Sequence, residues 1–301
     1  MRTDSVQCLS AGGFHRMRYT DWGDPWSKRV VVCVHGLTRN GRDFDALAAV
    51  LAKEARVVCP DVVGRGQSDW LALKDGYQYP QYLSDIAVLL ARVMAWPPAG
   101  HWLGRLNAFL RQRYGQRELL WVGTSMGGLM GMLLAAQPGS PIRRLVMNDV
   151  GPLIPRLALE RIGDYVGKSP RTQSFDELNA YVKEVSRPFG PLTDEQWAHL
   201  TRHNAKQFDD GTWGMNYDPG IGDAFRAGVL KDVDLWPYYD RITCPTLVIR
   251  GAESDLLSKA TAEEMQTRGP RPRVVEFAGI GHAPMLMSAD QIAVVRDFVL
   301  A

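Results

Sequence analysis

Apolar residues recur along this chain in two periods. Arg29-Val30-Val31-Val32-Cys33-Val34 and Arg56-Val57-Val58-Cys59-Pro60 are continuous runs rich in β-branched residues. A strand that is apolar on both sides suits a parallel sheet with both faces covered. Leu119-Leu120-Trp121-Val122, Arg144-Leu145-Val146-Met147-Asn148, Thr246-Leu247-Val248-Ile249-Arg250 and Arg273-Val274-Val275-Glu276-Phe277 repeat the pattern. Helical spacing predicts helices over 44–51, 81–93 and 289–300, with another following Leu119-Leu120-Trp121-Val122. Strands alternating with helices predict a mostly parallel sheet covered by helices on both faces. Two alternating segments, 6–10 and 14–20, predict an antiparallel hairpin at one sheet edge.

Two stretches break the alternation. Residues 94–116 contain Trp96-Pro97-Pro98-Ala99-Gly100, a turn-rich interruption before an amphipathic helix around 102–114. Residues 152–237 hold no convincing buried strand and predict helices at 156–165, 174–185 and 194–203, then a Gly/aromatic segment at 208–225. An all-helical insertion between sheet strands predicts a cap (152–237) on a core made of 1–151 and 238–301.

A chain of 301 residues can bury one large α/β core with an inserted subdomain. Charge is balanced, 35 Lys+Arg against 33 Asp+Glu, and no long run has one sign, so no nucleic-acid partner is expected. No apolar stretch reaches membrane-spanning length, and residues 1–8 lack the apolar centre of a signal peptide. The expectation is a cytoplasmic protein, a monomer or homodimer. Four cysteines, Cys8, Cys33, Cys59 and Cys244, show no C-x-x-C spacing. Cys33 and Cys59 fall on predicted neighbouring strands, where a reducing cytosol disfavours a disulfide.

The candidate chemistry starts at Gly123-Thr124-Ser125-Met126-Gly127, between the strand ending at Val122 and the apolar segment from Gly128. Strand, sharp turn, helix is the context of a nucleophile elbow, and the glycines are read as permitting the bend. A serine hydroxyl needs a general base, itself oriented by an acid. His282, in Gly279-Ile280-Gly281-His282-Ala283, follows the last predicted strand and is the candidate base. Asp255, in Gly251-Ala252-Glu253-Ser254-Asp255, follows the strand before that and is the favoured acid. All three follow C-terminal strand ends, where open α/β sheets place ligands. The residue after the nucleophile, Met126, supplies one oxyanion N–H, and Leu37 in His35-Gly36-Leu37-Thr38-Arg39 supplies the second. Gly36 is read as letting that backbone approach closely. No His/Cys cluster has metal-ligand spacing, and neither a metal nor a cofactor is expected.

His35-Gly36, Asp61-Val62-Val63-Gly64-Arg65-Gly66-Gln67-Ser68-Asp69, Gly123-Thr124-Ser125-Met126-Gly127-Gly128, Arg250-Gly251 with Asp255, and Gly281-His282 together resemble the α/β-hydrolase family with a cap. The resemblance implies an α/β-hydrolase fold with a central sheet of about eight strands, and a Ser125–His282–Asp255 triad. Some members carry their acid after the strand that follows the nucleophile. Asp149 holds that place here but is read as organising the turn into the cap, and Glu253 is a second alternative. Ser125 sets aside the haloalkane dehalogenases and epoxide hydrolases, which use Asp as nucleophile. Ala283, where meta-cleavage C–C hydrolases usually carry Trp, lowers that reading.

The expected activity is hydrolysis of a small-molecule carboxylic ester by water through an acyl-enzyme. C–C bond hydrolysis, lactone opening or haloperoxidase-like activity on the same residues are the alternatives, and a non-catalytic ligand receptor on the same scaffold is a further one. His35 is read as bracing the oxyanion loop, and Asp61, Gly64, Gly66 and Asp69 as holding a turn beneath the site. Gly36, Thr38, Arg39, Trp213 and Tyr217 are the candidate substrate contacts. The stretch Arg39, Asn40 and Arg42 is read either as an anion site or, by preference, as a solvated loop.

Overall fold

The computed structural model describes residues 1–95, 116–168, 170–226 and 229–301. The turn expected at 96–100 and the helix expected at 102–114 lie outside the described residues. Strands β1 (Arg2–Ser10) and β2 (Gly13–Trp22) pair antiparallel as the expected edge hairpin. Then come β3 (Arg29–Val34), α1 (Asp45–Leu51), β4 (Arg56–Pro60) and α2 (Tyr79–Val93). They are followed by β5 (Glu118–Thr124), α3 (Met126–Ala135) and β6 (Ile142–Asn148).

The inserted stretch contributes β7 (Leu153–Ile154), α4 (Arg156–Tyr165), α5 (Phe175–Val185), α6 (Asp194–Asn204), β8 (Ala205–Gln207), β9 (Trp213–Met215) and β10 (Val233–Asp234). The chain ends with β11 (Thr246–Gly251), α7 (Lys259–Met265), β12 (Arg273–Phe277) and α8 (Ala289–Val299).

Eight strands form one sheet in the order β1-β2-β4-β3-β5-β6-β11-β12. Pairing is parallel from β4 to β12 and antiparallel at β1/β2 and β2/β4. Alternate residues of one strand feed two separate cores. Val30, Val32 and Val34 pack with Leu119, Trp121 and Met147, whereas Val31 and Cys33 pack with Leu120, Val122 and Val146. That division explains the unbroken apolar runs, because neither face of these strands meets water. Cys33 and Cys59 are both buried and free.

The absence of strands expected in the insertion is corrected by two small ladders, β7 with β10 and β8 with β9. Their strands span two or three residues, too few for a period of two to register in sequence. The β7/β10 pair joins the outgoing and returning chain at the base of the insertion, reinforced by Leu235 N–H donating to Pro152 O at 2.7 Å.

Further hydrogen bonds tie residues 152–237 to the rest of the chain. Asn40 Nδ2 donates to His203 O at 2.9 Å, the Tyr77 hydroxyl to Asp218 at 2.6 Å, and Gly281 N–H to Pro188 O at 2.7 Å. Among the described residues no helix is long and apolar enough to cross a membrane.

Candidate active site

Ser125 stands at the junction of β5 and α3 with φ 52° and ψ −116°. A non-glycine residue in that region costs about 1–3 kcal/mol and persists only where its surroundings over-determine it. The bend therefore belongs to the serine itself, not to the glycines that the sequence reading credited. Gly123 and Gly127 serve close approach instead. A Cβ on Gly127 would lie 2.0 Å from Val34 O, and one on Gly123 would lie 2.2 Å from Gly127 O. Two hydrogen bonds pin the turn. Ser125 N–H donates to Asn148 O at 2.9 Å, and the Trp121 indole N–H to Gly127 O at 3.0 Å.

His282 reaches this hydroxyl from the loop after β12, its Nε2 2.9 Å from Ser125 Oγ. On the other side of the ring, Nδ1 lies 2.7 Å from Asp149 Oδ2. Asp149 follows β6, is fully buried, and takes the positive φ of 54°. Its carboxylate also accepts from Gly251 N–H at 2.8 Å and from the Ser254 hydroxyl at 2.7 Å. A carboxylate held by these contacts faces Nδ1 and fixes the ring, which favours the tautomer with its proton on Nδ1 and a lone pair on Nε2 facing the serine. Groups so arranged can accept the Ser125 proton and stabilise the resulting cation.

Asp255, the expected acid, is not at His282. Its side chain is 48% exposed and pairs with Arg161 of α4, Nη2 donating to Oδ1 at 3.0 Å. The expectation went wrong because both aspartates follow strand ends, and order along the chain does not say which one turns inward. The place of Asp149 after the strand next to the nucleophile was the signal available. Ser254 carried no signal of its own.

The loop after β3 lies alongside. His35 is fully buried, Nδ1 donating to Gly36 O at 2.7 Å while Nε2 accepts from Val62 N–H at 2.9 Å. Burial pushes its pKa down to about 4, so the ring stays neutral and fixes the loop. The space argument for Gly36 is corrected: a Cβ there would meet Ser125 Cβ at an ordinary 3.7 Å.

Met126 N–H opens α3 and has no acceptor within the helix. Between Met126 and Leu37 sits the fully buried Arg65, donating to Leu37 O at 2.8 Å, to Val63 O at 2.7 Å and to Met126 Sδ at 3.7 Å. Below, Asp61 accepts from Gly41 and Gln67 N–H, both at 2.8 Å, and Gly64 and Gly66 take φ of 85° and 54°. Burial raises the Asp61 carboxyl to about 6.

A cavity opens at Ser125 and His282, walled by residues from 36–43, 161–217 and 282–285. Of the candidate substrate contacts, Gly36, Thr38, Arg39 and Tyr217 line it. Trp213 does not; its ring meets Phe175 edge-on at 5.7 Å and its backbone pairs with Thr172. Arg161, Tyr165, Tyr181, Phe189 and Met285 complete much of the wall, and no sequence motif marked them. The solvated-loop reading of 39–42 also fails, because Arg39 and Asn40 are buried. Arg39 holds Asp43 through two bonds of 2.8 and 2.7 Å, Asn40 ties down α6, and Arg42 grips Asp45.

The fold gathers two metal-type side-chain clusters that sequence spacing did not show. Cys8, His15 and Asp85 form one, and Asp45, His199 and His203 the other. In the first, His15 Nε2 is held by Asp85 at 2.8 Å, and in the second the Arg42 guanidinium sits on Asp45.

A family model described as the alpha/beta hydrolase family matches residues 31–295. The chain is 45% identical over 305 aligned residues to a 3-hydroxybutyrate-oligomer hydrolase of Cupriavidus necator, covering 99% of this chain and 97% of the relative. It is 25% identical to an esterase of Mycobacterium tuberculosis, covering 91% and 82%. A solved alpha/beta hydrolase from Novosphingobium aromaticivorans superposes with a TM-score of 0.81 at 34% identity, covering 99% and 98%. The eight-stranded sheet, the elbow at its centre and these matches agree: the chain belongs to the alpha/beta hydrolase family.

Proposed function

We propose that this chain hydrolyses carboxylic esters through a Ser125 acyl-enzyme, and that its substrates are short oligomers of a hydroxyalkanoic acid. The observation that carries the chemistry is the unbroken chain Ser125 Oγ, His282 Nε2, His282 Nδ1, Asp149 Oδ2, with steps of 2.9 and 2.7 Å, at the wall of a cavity. The substrate class follows from the relative of 45% identity that spans nearly the whole chain.

Ser125 Oγ attacks the ester carbonyl carbon as His282 Nε2 takes its proton. Asp149 holds the imidazolium in place. The Met126 and Leu37 N–H groups receive the developing oxyanion. The tetrahedral adduct collapses, His282 returns the proton to the leaving alkoxide, and an acyl-Ser125 ester remains. Water, deprotonated by the same imidazole, then releases the acid. The insertion at 152–237 acts as a cap that limits the size of the acyl and alcohol parts.

The test is hydrolysis of 3-hydroxybutyrate dimer and trimer and of short p-nitrophenyl esters, with fluorophosphonate labelling of Ser125. Turnover of the oligomers, with labelling that disappears in Ser125→Ala, supports the reading. An unlabelled protein without turnover makes the chain a ligand receptor. Turnover of a dienone without ester turnover moves it to C–C hydrolysis.

A further inference from the structure

Two guanidinium groups line the cavity that holds Ser125, those of Arg39 and Arg161, and they are not equivalent. Arg39 is 8% exposed and gives both Nε and Nη2 to Asp43. Taking a buried, bidentate pair apart strands a charge in low dielectric and is strongly unfavourable. Arg161 is 39% exposed, and its partner Asp255 is 48% exposed. Ion pairs that open to solvent are worth about 0–1 kcal/mol, so a competing carboxylate exchanges with Asp255 at little cost. Arg161 is thus the cation of this cavity that is free to change partners.

Its neighbours suit an anion with an apolar body. Ile162 and Tyr165 follow it on α4, and Phe189, Met215 and Met285 line the same cavity as Ser125. The Arg161 charge acts on the Tyr165 hydroxyl, whose pKa burial otherwise raises. A short hydroxyacid ester carries one carboxylate at its terminus at neutral pH, and a buried carboxylate is costly without a paired cation.

We infer that Arg161 is the carboxylate subsite of this cavity, binding the ionised terminus of a hydroxyacid oligomer while an ester bond meets Ser125, an inference that rests on the ester-hydrolase reading above. Asp255 occupies Arg161 when no substrate is bound and hands it over when one arrives. The bland alternative is a latch, in which Arg161 and Asp255 only fasten the insertion to the core.

The experiment compares 3-hydroxybutyrate dimer as free acid with the same dimer as primary amide, measuring kcat/KM for each. The acid-over-amide ratio is internal to each enzyme, so any loss of folded fraction cancels. Arg161→Gln is expected to lower the ratio by about two- to fivefold, the range of an ion pair that opens to solvent, and Arg161→Lys to keep most of it. Added salt is expected to lower the wild-type ratio, since the subsite is partly open to solvent. A ratio unchanged in Arg161→Gln, even with both activities reduced, identifies a latch and overturns the subsite. No hydrolysis of either dimer by the wild type removes the hydroxyacid-oligomer reading and the subsite with it.

Discussion

Asp149 Oδ2 stands 2.7 Å from His282 Nδ1, while the carboxylate of Asp255 turns outward to Arg161. The two aspartates make opposite predictions. Asp149→Asn keeps the size of the group but presents an amide where the imidazole N–H must donate, favouring the wrong tautomer. Its kcat is expected to fall on the order of 10⁴-fold, by analogy with triad serine hydrolases. Asp255→Asn is expected to stay within about tenfold of wild type on a neutral p-nitrophenyl ester, since that group never touches the imidazole. Steady-state kinetics of the two variants side by side decide the assignment; a larger loss in Asp255→Asn would reverse it.

The sheet was legible because its central strands are apolar on both faces. Val30 to Val34 and Arg56 to Pro60 announce themselves without any partner. The candidate serine and histidine stood out in glycine-containing turns at strand ends, and the structure brings the two together. The carboxylate that meets His282 was not legible, because the inward turn of Asp149 depends on its positive φ and on Gly251 and Ser254, which come from the end of β11 and the loop after it, about a hundred positions later. The cavity wall was least legible. Arg161 and Tyr165 sit on an ordinary amphipathic helix, and only the docking of that helix on the core says which face sees Ser125.

Arg65 links the two expected oxyanion donors, and among the described residues its hydrogen bonds go to neutral acceptors, Leu37 O, Val63 O and Met126 Sδ. Its guanidinium also lies 4.8 Å from the Tyr82 ring centroid. Arg65→Met removes the anchor of the Leu37 peptide, so kcat is expected to fall by about 10- to 100-fold with a smaller change in KM. Arg65→Lys restores part of kcat. Equal loss of kcat in both variants, tracking their loss of folded protein by circular dichroism, would reduce Arg65 to a structural residue.

Gly127 has no room for a side chain, and what blocks it is backbone. A Cβ would lie 2.0 Å from Val34 O and 3.0 Å from His35 O. Because β3 is buried in the middle of the sheet, neither carbonyl yields cheaply. Gly127→Ala is expected to destabilise by about 3 kcal/mol or more, despite alanine's better helix propensity. Urea unfolding provides the number. By contrast, Gly139→Ala meets nothing within 4 Å and is strained only by its φ of 73°, so its cost is expected near 1 kcal/mol.

Two buried groups beneath the site set opposing pH dependences. His35 is held at about 4 in the folded protein, below its ordinary 6.5. Its contribution is therefore present above pH 6.5 and is lost as pH falls through 4, because the unfolded chain takes up the proton first. Asp61 is raised to about 6 from 3.8. Its contribution is present below pH 3.8 and is lost as pH rises through 6, because the folded chain holds the proton longer. Each is worth on the order of 3 kcal/mol at its limit, so on mild acidification the gain at Asp61 offsets the loss at His35.

Asp61→Asn removes the offset. The amide cannot accept from both Gly41 and Gln67 N–H with the same geometry, so some stability is lost at every pH. The informative quantity is the slope. Between about pH 6.5 and 4.5 the variant is expected to lose about 2 kcal/mol more than the wild type. Denaturant unfolding at several pH values measures both curves, and parallel curves would show that Asp61 is already ionised in the folded protein throughout this range.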